Sequence, residues 1–161
     1  LDESRASFER ALAISERVYG PDDVQVAKAL RKIGYLALDR DPKAARDAFA
    51  RAVKIFEAKT RVGPDLAPLL SGLGEAQLMT GDPASAVKTL ERAFVVWGDS
   101  KVSQHLLPTA RFALARSLWE SNGDRARAKR LADEARAEFL ANKGPWLPKA
   151  DEVAAWLKTH R

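Results

Sequence analysis

The sequence repeats one short pattern three times, as Phe8-Glu9-Arg10-Ala11, Phe49-Ala50-Arg51-Ala52 and Leu90-Glu91-Arg92-Ala93. Successive copies begin 41 residues apart. Self-similarity at a fixed period of about 20–50 residues is typical of solenoid proteins, in which each unit buries its apolar face against the next. A second pattern keeps nearly the same period, with copies at Ile33-Gly34, Leu73-Gly74 and Leu114-Ala115. Each repeat is therefore predicted to contain two different apolar helices.

Helix-breaking and capping residues separate these predicted helices. Aspartate caps stand next to Gly or Pro at Asp41-Pro42, Gly81-Asp82-Pro83 and Gly123-Asp124. We predict helices at about 3–19, 23–39, 43–60, 65–80, 84–97, 101–121, 125–142 and 148–159. Gly34 and Gly74 fall inside helices, where Gly costs about 1 kcal/mol relative to Ala. We therefore expect close packing of another element at both glycines.

The whole chain is predicted to form one array. It divides into a half repeat at 1–20, repeats at 21–61, 62–98 and 99–143, and a capping helix at 144–161. The last segment keeps a short apolar stripe of Val153, Trp156 and Leu157 beside polar residues. A helix with a polar outer side is typical of the closed end of a solenoid.

The repeat also resembles a known family. The Leu73-Gly74 pair of a first helix, followed by Ala86, Leu90 and Ala93, resembles the tetratricopeptide signature, and the preceding repeat has Ala45, Phe49 and Ala52 at the equivalent places. The long period and the Gly20-Pro21-Asp22-Asp23 joint are similar to the longer subclass found in kinesin light chains. The amino-acid sequence of residues 111–119 resembles tetratricopeptide regions that follow serine/threonine kinase domains in bacteria. The resemblance implies an all-α, right-handed solenoid of antiparallel helix pairs and a scaffold for protein–protein interaction.

Composition narrows the function classes. The 161 residues include no Cys, which excludes disulfides and thiolate chemistry and is compatible with a cytoplasmic location. No apolar run approaches the roughly 18 residues that a membrane span requires. The net charge of +5 favours acidic partners. His105 and His160 are the only histidines and lie far apart in the array, so we expect no catalytic residue, cofactor or metal.

The resemblance directs attention to the first helix of each pair, which lines the concave groove in such arrays. On that side of the three predicted first helices, the candidate partner-binding residues are Lys28, Arg31, Lys32 and Tyr35, then Ser71, Glu75, Leu78 and Met79, then Phe112, Arg116 and Trp119. One end of this set is basic and the other is apolar. It predicts an extended acidic and hydrophobic peptide as the ligand. Solvated charge on the basic end, and core packing by Trp119, are the alternatives.

Other functions remain open at this point. Arg125, Arg127, Lys129 and Arg130 suggest nucleic-acid binding, but acidic residues interleave with them and no aromatic residues do, so this is the weaker reading. The chain could also be the regulatory module of a larger bacterial signalling enzyme such as a serine/threonine kinase. Because it opens at Leu1 with the second helix of a repeat, we expect a preceding helix upstream. We also expect an apolar face on residues 1–19 that is open to self-association.

Overall fold

The computed structural model describes residues 2–59, 65–98, 106–142 and 144–160. Its elements in chain order are α1 Asp2–Tyr19, α2 Val24–Ala37, α3 Pro42–Lys59, α4 Leu66–Met79, α5 Pro83–Trp97, α6 Leu106–Glu120, α7 Arg125–Asn142, a 3-10 turn Gly144–Trp146 and α8 Leu147–Thr159. Every predicted helix is present with closely similar bounds. The predicted start at residue 101, together with His105, lies outside the described residues. The described residues contain no strand, so the all-α prediction is confirmed.

Aspartate side chains cap four of these helices. The carboxylates of Asp23 and Asp41 accept hydrogen bonds from the backbone N–H of Gln25 at 2.8 Å and of Ala44 at 3.0 Å. Asp82 and Asp124 accept in the same way, from the backbone N–H of Ser85 at 3.1 Å and of Arg127 at 2.8 Å. Each bond satisfies one of the backbone donors that a helix start leaves without a partner. The predicted turn residues therefore set where α2, α3, α5 and α7 begin.

The helices pack in two rows, which together make an α-solenoid of antiparallel pairs. The first helices of the repeats, α2, α4 and α6, contact one another directly as well as the helices adjacent in sequence. The second helices, α1, α3, α5 and α7, are joined across the outer row by ion pairs of long side chains, Glu16–Arg51 at 2.7 Å, then Glu57–Arg92 and Glu91–Arg127. We call the side of α2, α4 and α6 that faces away from the second helices the inner face.

Glycines let the two rows interlock. The ring of Phe49, from α3, lies only 2.7 Å from the place where a Cβ atom on Gly34 would be, and closer than 3.0 Å to the corresponding place on Gly72. Leu90, from α5, stands in the same relation to Gly74, with its Cγ at 2.5 Å. Phe49 and Leu90 are completely buried. The close packing expected at Gly34 and Gly74 is thus confirmed. It explains why Gly, a residue of low helix propensity, occurs inside both helices.

The last described helix, α8, packs on α7 and α6. Its Trp156 ring meets Trp119 at 5.7 Å and Phe112 at 5.9 Å between centroids, both edge to face. His160, just after α8, stacks on Trp156 at 4.3 Å. Val153 is fully buried in a smaller core beside α7. The capping position expected for this segment is therefore occupied by a helix with substantial aromatic packing.

Candidate inner-face binding site

The inner face carries equivalent positions from three successive first helices. Tyr35 of α2, Glu75 of α4 and Arg116 of α6 occupy the same place in their repeats, 40 and 41 residues apart. Tyr35 is 36% exposed, and Glu75 and Arg116 are half-buried. Met79, one turn after Glu75, is 40% exposed. These side chains form a row across the array that a partner could contact.

A cluster of cations continues this face along α2. Lys28 and Lys32 are exposed and Arg31 is half-buried, and we call these three residues the basic strip. Lys28 and Arg31 border a small crevice between α2 and α4, with Leu69 on its apolar side. Among the described residues, no carboxylate lies within ion-pair distance of the basic strip, whereas Arg51 and Arg92 on the outer row are both paired. Within the described residues the basic strip therefore has no ion-pair partner, although Asp65 lines the same crevice as Lys28 and Arg31.

Tyr35 links two first helices. Its hydroxyl donates a hydrogen bond to the backbone carbonyl of Pro68 in α4 at 2.9 Å, and its ring meets Phe49 edge to face at 5.0 Å. Burial raises the pKa of Tyr35 to about 12, with a further contribution from the negative charge of Glu75. The side chain stays protonated at physiological pH and so keeps this bond. Tyr35 thus joins α2 to α4 while remaining 36% exposed.

On this face, the carboxyl group of Glu75 has the pKa that departs most from its usual value. Burial raises its pKa from 4.5 to about 7. Lys149 lowers the pKa, and Asp39 raises it. Smaller opposing effects come from Arg116, which lowers the pKa, and Glu152, which raises it. Within the described residues Glu75 makes no hydrogen bond and no ion pair, because its cationic neighbours stand beyond pairing distance.

Replacing Glu75 by glutamine is expected to stabilise the fold at pH 8 by about 1–3 kcal/mol and to change little at pH 4. A carboxyl whose pKa is raised by folding stabilises the fold fully below 4.5 and loses that contribution as the pH rises through 7. Urea unfolding of both proteins at pH 4, 6 and 8 measures the difference. An equal difference at all three pH values would contradict the raised pKa.

Three of the candidate residues are buried, which corrects the prediction that they line the groove. Ser71 is 3% exposed, Leu78 is 4% exposed and Phe112 is 7% exposed. Leu78 packs in the main core, whereas Phe112 packs in the smaller core against Trp156 of α8. The three buried side chains therefore offer no surface to a partner in this structure.

The surroundings of Trp119 also differ from the open end of a groove. It is half-buried, meets Trp156 and His160 edge to face, and carries the guanidinium of Arg125 at 4.8 Å and the ammonium of Lys129 at 5.7 Å from its ring centroid. The predicted apolar end of the groove is thus covered by α8. Arg125 and Lys129, two cations of the nucleic-acid alternative, are engaged with this ring.

Lys149 and Glu152 are residues of this site that the sequence did not reveal. Both lie on α8, and 3.0 Å separates the Lys149 Nζ from a Glu152 carboxylate oxygen. The charges of both residues act on the carboxyl group of Glu75 in α4. Repeat equivalence could not have indicated this, because α8 does not share the repeat pattern. In the part of the chain that the structure describes, no group of acidic or histidine side chains could hold a metal ion.

Comparisons with known proteins agree with this architecture. Residues 1–58 match the family model described as tetratricopeptide repeat. The fold is similar to the crystal structure of BtubC (BKLC) from P. vanneervenii, with a TM-score of 0.72 and 19% identity over 89% of this chain, which spans 58% of the BtubC chain. It is also similar to the crystal structure of a Podosopora anserina putative kinesin light chain with nearly identical TPR-like repeats. There the TM-score is 0.64 at 19% identity, covering 88% of this chain and 68% of that one.

A search of the curated proteins gave no match. None of the described helices is both long enough and apolar enough to cross a membrane. The structural neighbours show the fold of a tetratricopeptide-like solenoid, whereas the kinesin-light-chain-like subclass and the resemblance to kinase-associated regions stay predictions. The chain has the fold of a tetratricopeptide-like α-solenoid, and its first 58 residues match the model of that family.

Proposed function

We propose that this chain is a protein–protein interaction scaffold that binds an extended, acidic segment of a partner along the inner face of α2 and α4. The observation that carries this proposal is the basic strip, whose charges face solvent without a carboxylate partner among the described residues. The exposed part of Tyr35 and the side chain of Met79 lie farther along the same face and suit apolar side chains of the segment. Burial of Phe112 and coverage of Trp119 limit the proposed site to the α2–α4 end.

Charge reversal tests this proposal. We expect a random library of displayed 12-residue peptides to be enriched in Asp and Glu after selection on the chain. The best peptide should bind the Lys28→Glu/Arg31→Glu/Lys32→Glu variant roughly 30-fold more weakly at low salt, since three favourable charge interactions become repulsive. Calorimetry at fixed ionic strength measures both dissociation constants.

A matched control separates this effect from net charge. Lys43, Lys54 and Lys88 are exposed on the second helices α3 and α5, so reversing all three changes the total charge by the same amount. That variant should bind the peptide nearly as well as the parent chain. Equal losses in both variants, or selection of peptides without acidic residues, would contradict an acidic-segment site on the inner face.

Self-association is a second candidate function, because α1 exposes a line of apolar residues. Ile14 is 56% exposed, Val18 is 60% exposed and Tyr19 is 58% exposed. A contact between copies through this face would bury all three. Sedimentation at increasing concentration should then show dimers that Val18→Glu removes. A chain that stays monomeric throughout would count against this function.

The place of this scaffold within a larger bacterial signalling enzyme, such as a serine/threonine kinase, is also a proposal. It is supported by the amino-acid sequence of residues 111–119, which resembles tetratricopeptide regions found after such kinase domains. The full reading frame of the gene tests it, since a kinase domain upstream is the expected result.

A further inference from the structure

Glu75 lies where a segment bound on the inner face of α2 and α4 would pass. It occupies the middle of the row formed with Tyr35 and Arg116, one turn before the exposed Met79. The side chain is already half-buried, and the described residues provide it with no hydrogen bond. A segment that covers this position would remove the water that still solvates the carboxyl group. Desolvation disfavours the ionised form of a carboxyl group.

The charges around Glu75 do not offset that cost. The charges that act on Glu75 are those of Asp39 just after α2, Arg116 on α6, and Lys149 with Glu152 on α8. Two of these groups are cationic and two are anionic, so their fields largely cancel. On α2, the positive charge of Arg31 lowers the pKa of Tyr35, but burial keeps that pKa at about 12. Tyr35 therefore stays neutral and adds no charge beside Glu75. An acidic segment would add further negative charge beside Glu75 and would supply no cation.

We propose that Glu75 links partner binding to proton uptake: the acidic segment binds together with one proton, which the Glu75 carboxylate takes up from solvent. The neutral carboxyl group then becomes a hydrogen-bond donor, and a backbone carbonyl or a carboxylate of the segment can accept from it. This inference rests on the proposed function, and it adds a pH dependence that the basic strip alone does not produce. The inner face then binds acidic segments more tightly as the pH falls.

The titration of Glu75 in the free chain sets the pH range. Burial already raises its pKa to about 7, so close to half of the molecules are ionised at neutral pH. A bound segment raises the pKa further. Affinity is then greatest below pH 7 and weakens as the pH rises through the free-chain value, by up to about tenfold per pH unit. Between pH 6 and pH 8 we expect the dissociation constant to increase about five- to tenfold.

Calorimetry with a defined probe tests this inference. The probe is a 12-residue peptide of four Glu-Leu-Ser units, whose carboxylates have pKa values near 4.3 and therefore keep their charge between pH 6 and pH 8. Titrations in two buffers of different ionisation enthalpy give the number of protons taken up. The parent chain should take up about half a proton per peptide at pH 7 and more at pH 8. The Glu75→Gln variant, which imitates the neutral carboxyl group, should bind equally at both pH values without proton uptake.

Two further variants make the outcomes distinct. Asp133→Asn removes an exposed carboxylate on α7 and should keep the pH dependence of the parent chain. The basic-strip variant should bind the probe weakly at both pH values. Equal affinity of the parent at pH 6 and pH 8, or a pH dependence that persists in Glu75→Gln, would overturn the proton linkage and leave the scaffold proposal standing. Failure of the parent to bind the probe at either pH would contradict the proposed function as well.

Discussion

Replacing Phe49 by alanine is expected to lower the free energy of unfolding by about 3–5 kcal/mol. The ring is completely buried and lies against Gly34 of α2 and Gly72 of α4. Its removal would leave a cavity where two first helices and one second helix meet. Urea unfolding followed by circular dichroism measures the loss. Phe94→Ala is the matched control, because Phe94 is only half-buried and should cost clearly less.

The glycine side of the same contact gives a sharper test. Gly72→Ala increases helix propensity by about 1 kcal/mol, yet we expect it to destabilise the chain because the new methyl group would overlap the Phe49 ring. Introducing Phe49→Leu, which replaces the ring by a smaller side chain, should reduce the cost of Gly72→Ala. Coupling of about 1 kcal/mol or more between the two changes is expected. Strictly additive effects would show that the ring does not limit the space at Gly72.

Replacing Trp156 by alanine is the second change with a large expected effect, a loss of about 3 kcal/mol. Trp156 contacts Trp119 and Phe112, and these two contacts hold α8 against α6. Hydrogen exchange should show the amides of α8 losing protection while those of α2 to α4 keep theirs. Lys158→Ala, at an exposed position of the same helix, should leave the exchange unchanged. Unaltered protection of α8 in Trp156→Ala would mean that other contacts hold it.

The repeat and its helices could be predicted because their signals are local. Asp41 and Asp82 are recognisable as caps from the residues beside them, and both accept the expected backbone hydrogen bonds. Gly34 marks a close approach because Gly is costly in a helix, and Phe49 from the neighbouring helix fills the space. Spacing along the chain was sufficient for each of these features, since only one or two adjacent helices are involved.

The candidate site was predicted less completely, because a first helix has neighbours on several sides. The pattern along α4 distinguishes its apolar face from its polar face but does not show how far the next first helix covers it. Ser71 and Leu78 are buried, which the pattern did not indicate. Phe112 and Trp119 contact α8, which follows them by more than 25 residues and lies outside the repeat pattern. Lys149 comes near Glu75 for the same reason, through the packing of distant segments.

Site-specific cross-linking tests most directly whether the inner face binds the partner. A photoreactive benzoylphenylalanine is placed singly at Met79, which is 40% exposed on the inner face, or at Lys54, which is exposed on α3. Each protein is irradiated with the acidic peptide selected on the parent chain. We expect a cross-link from position 79 that excess unlabelled peptide abolishes, and none from position 54. A cross-link from position 54 without one from position 79 would contradict an inner-face site.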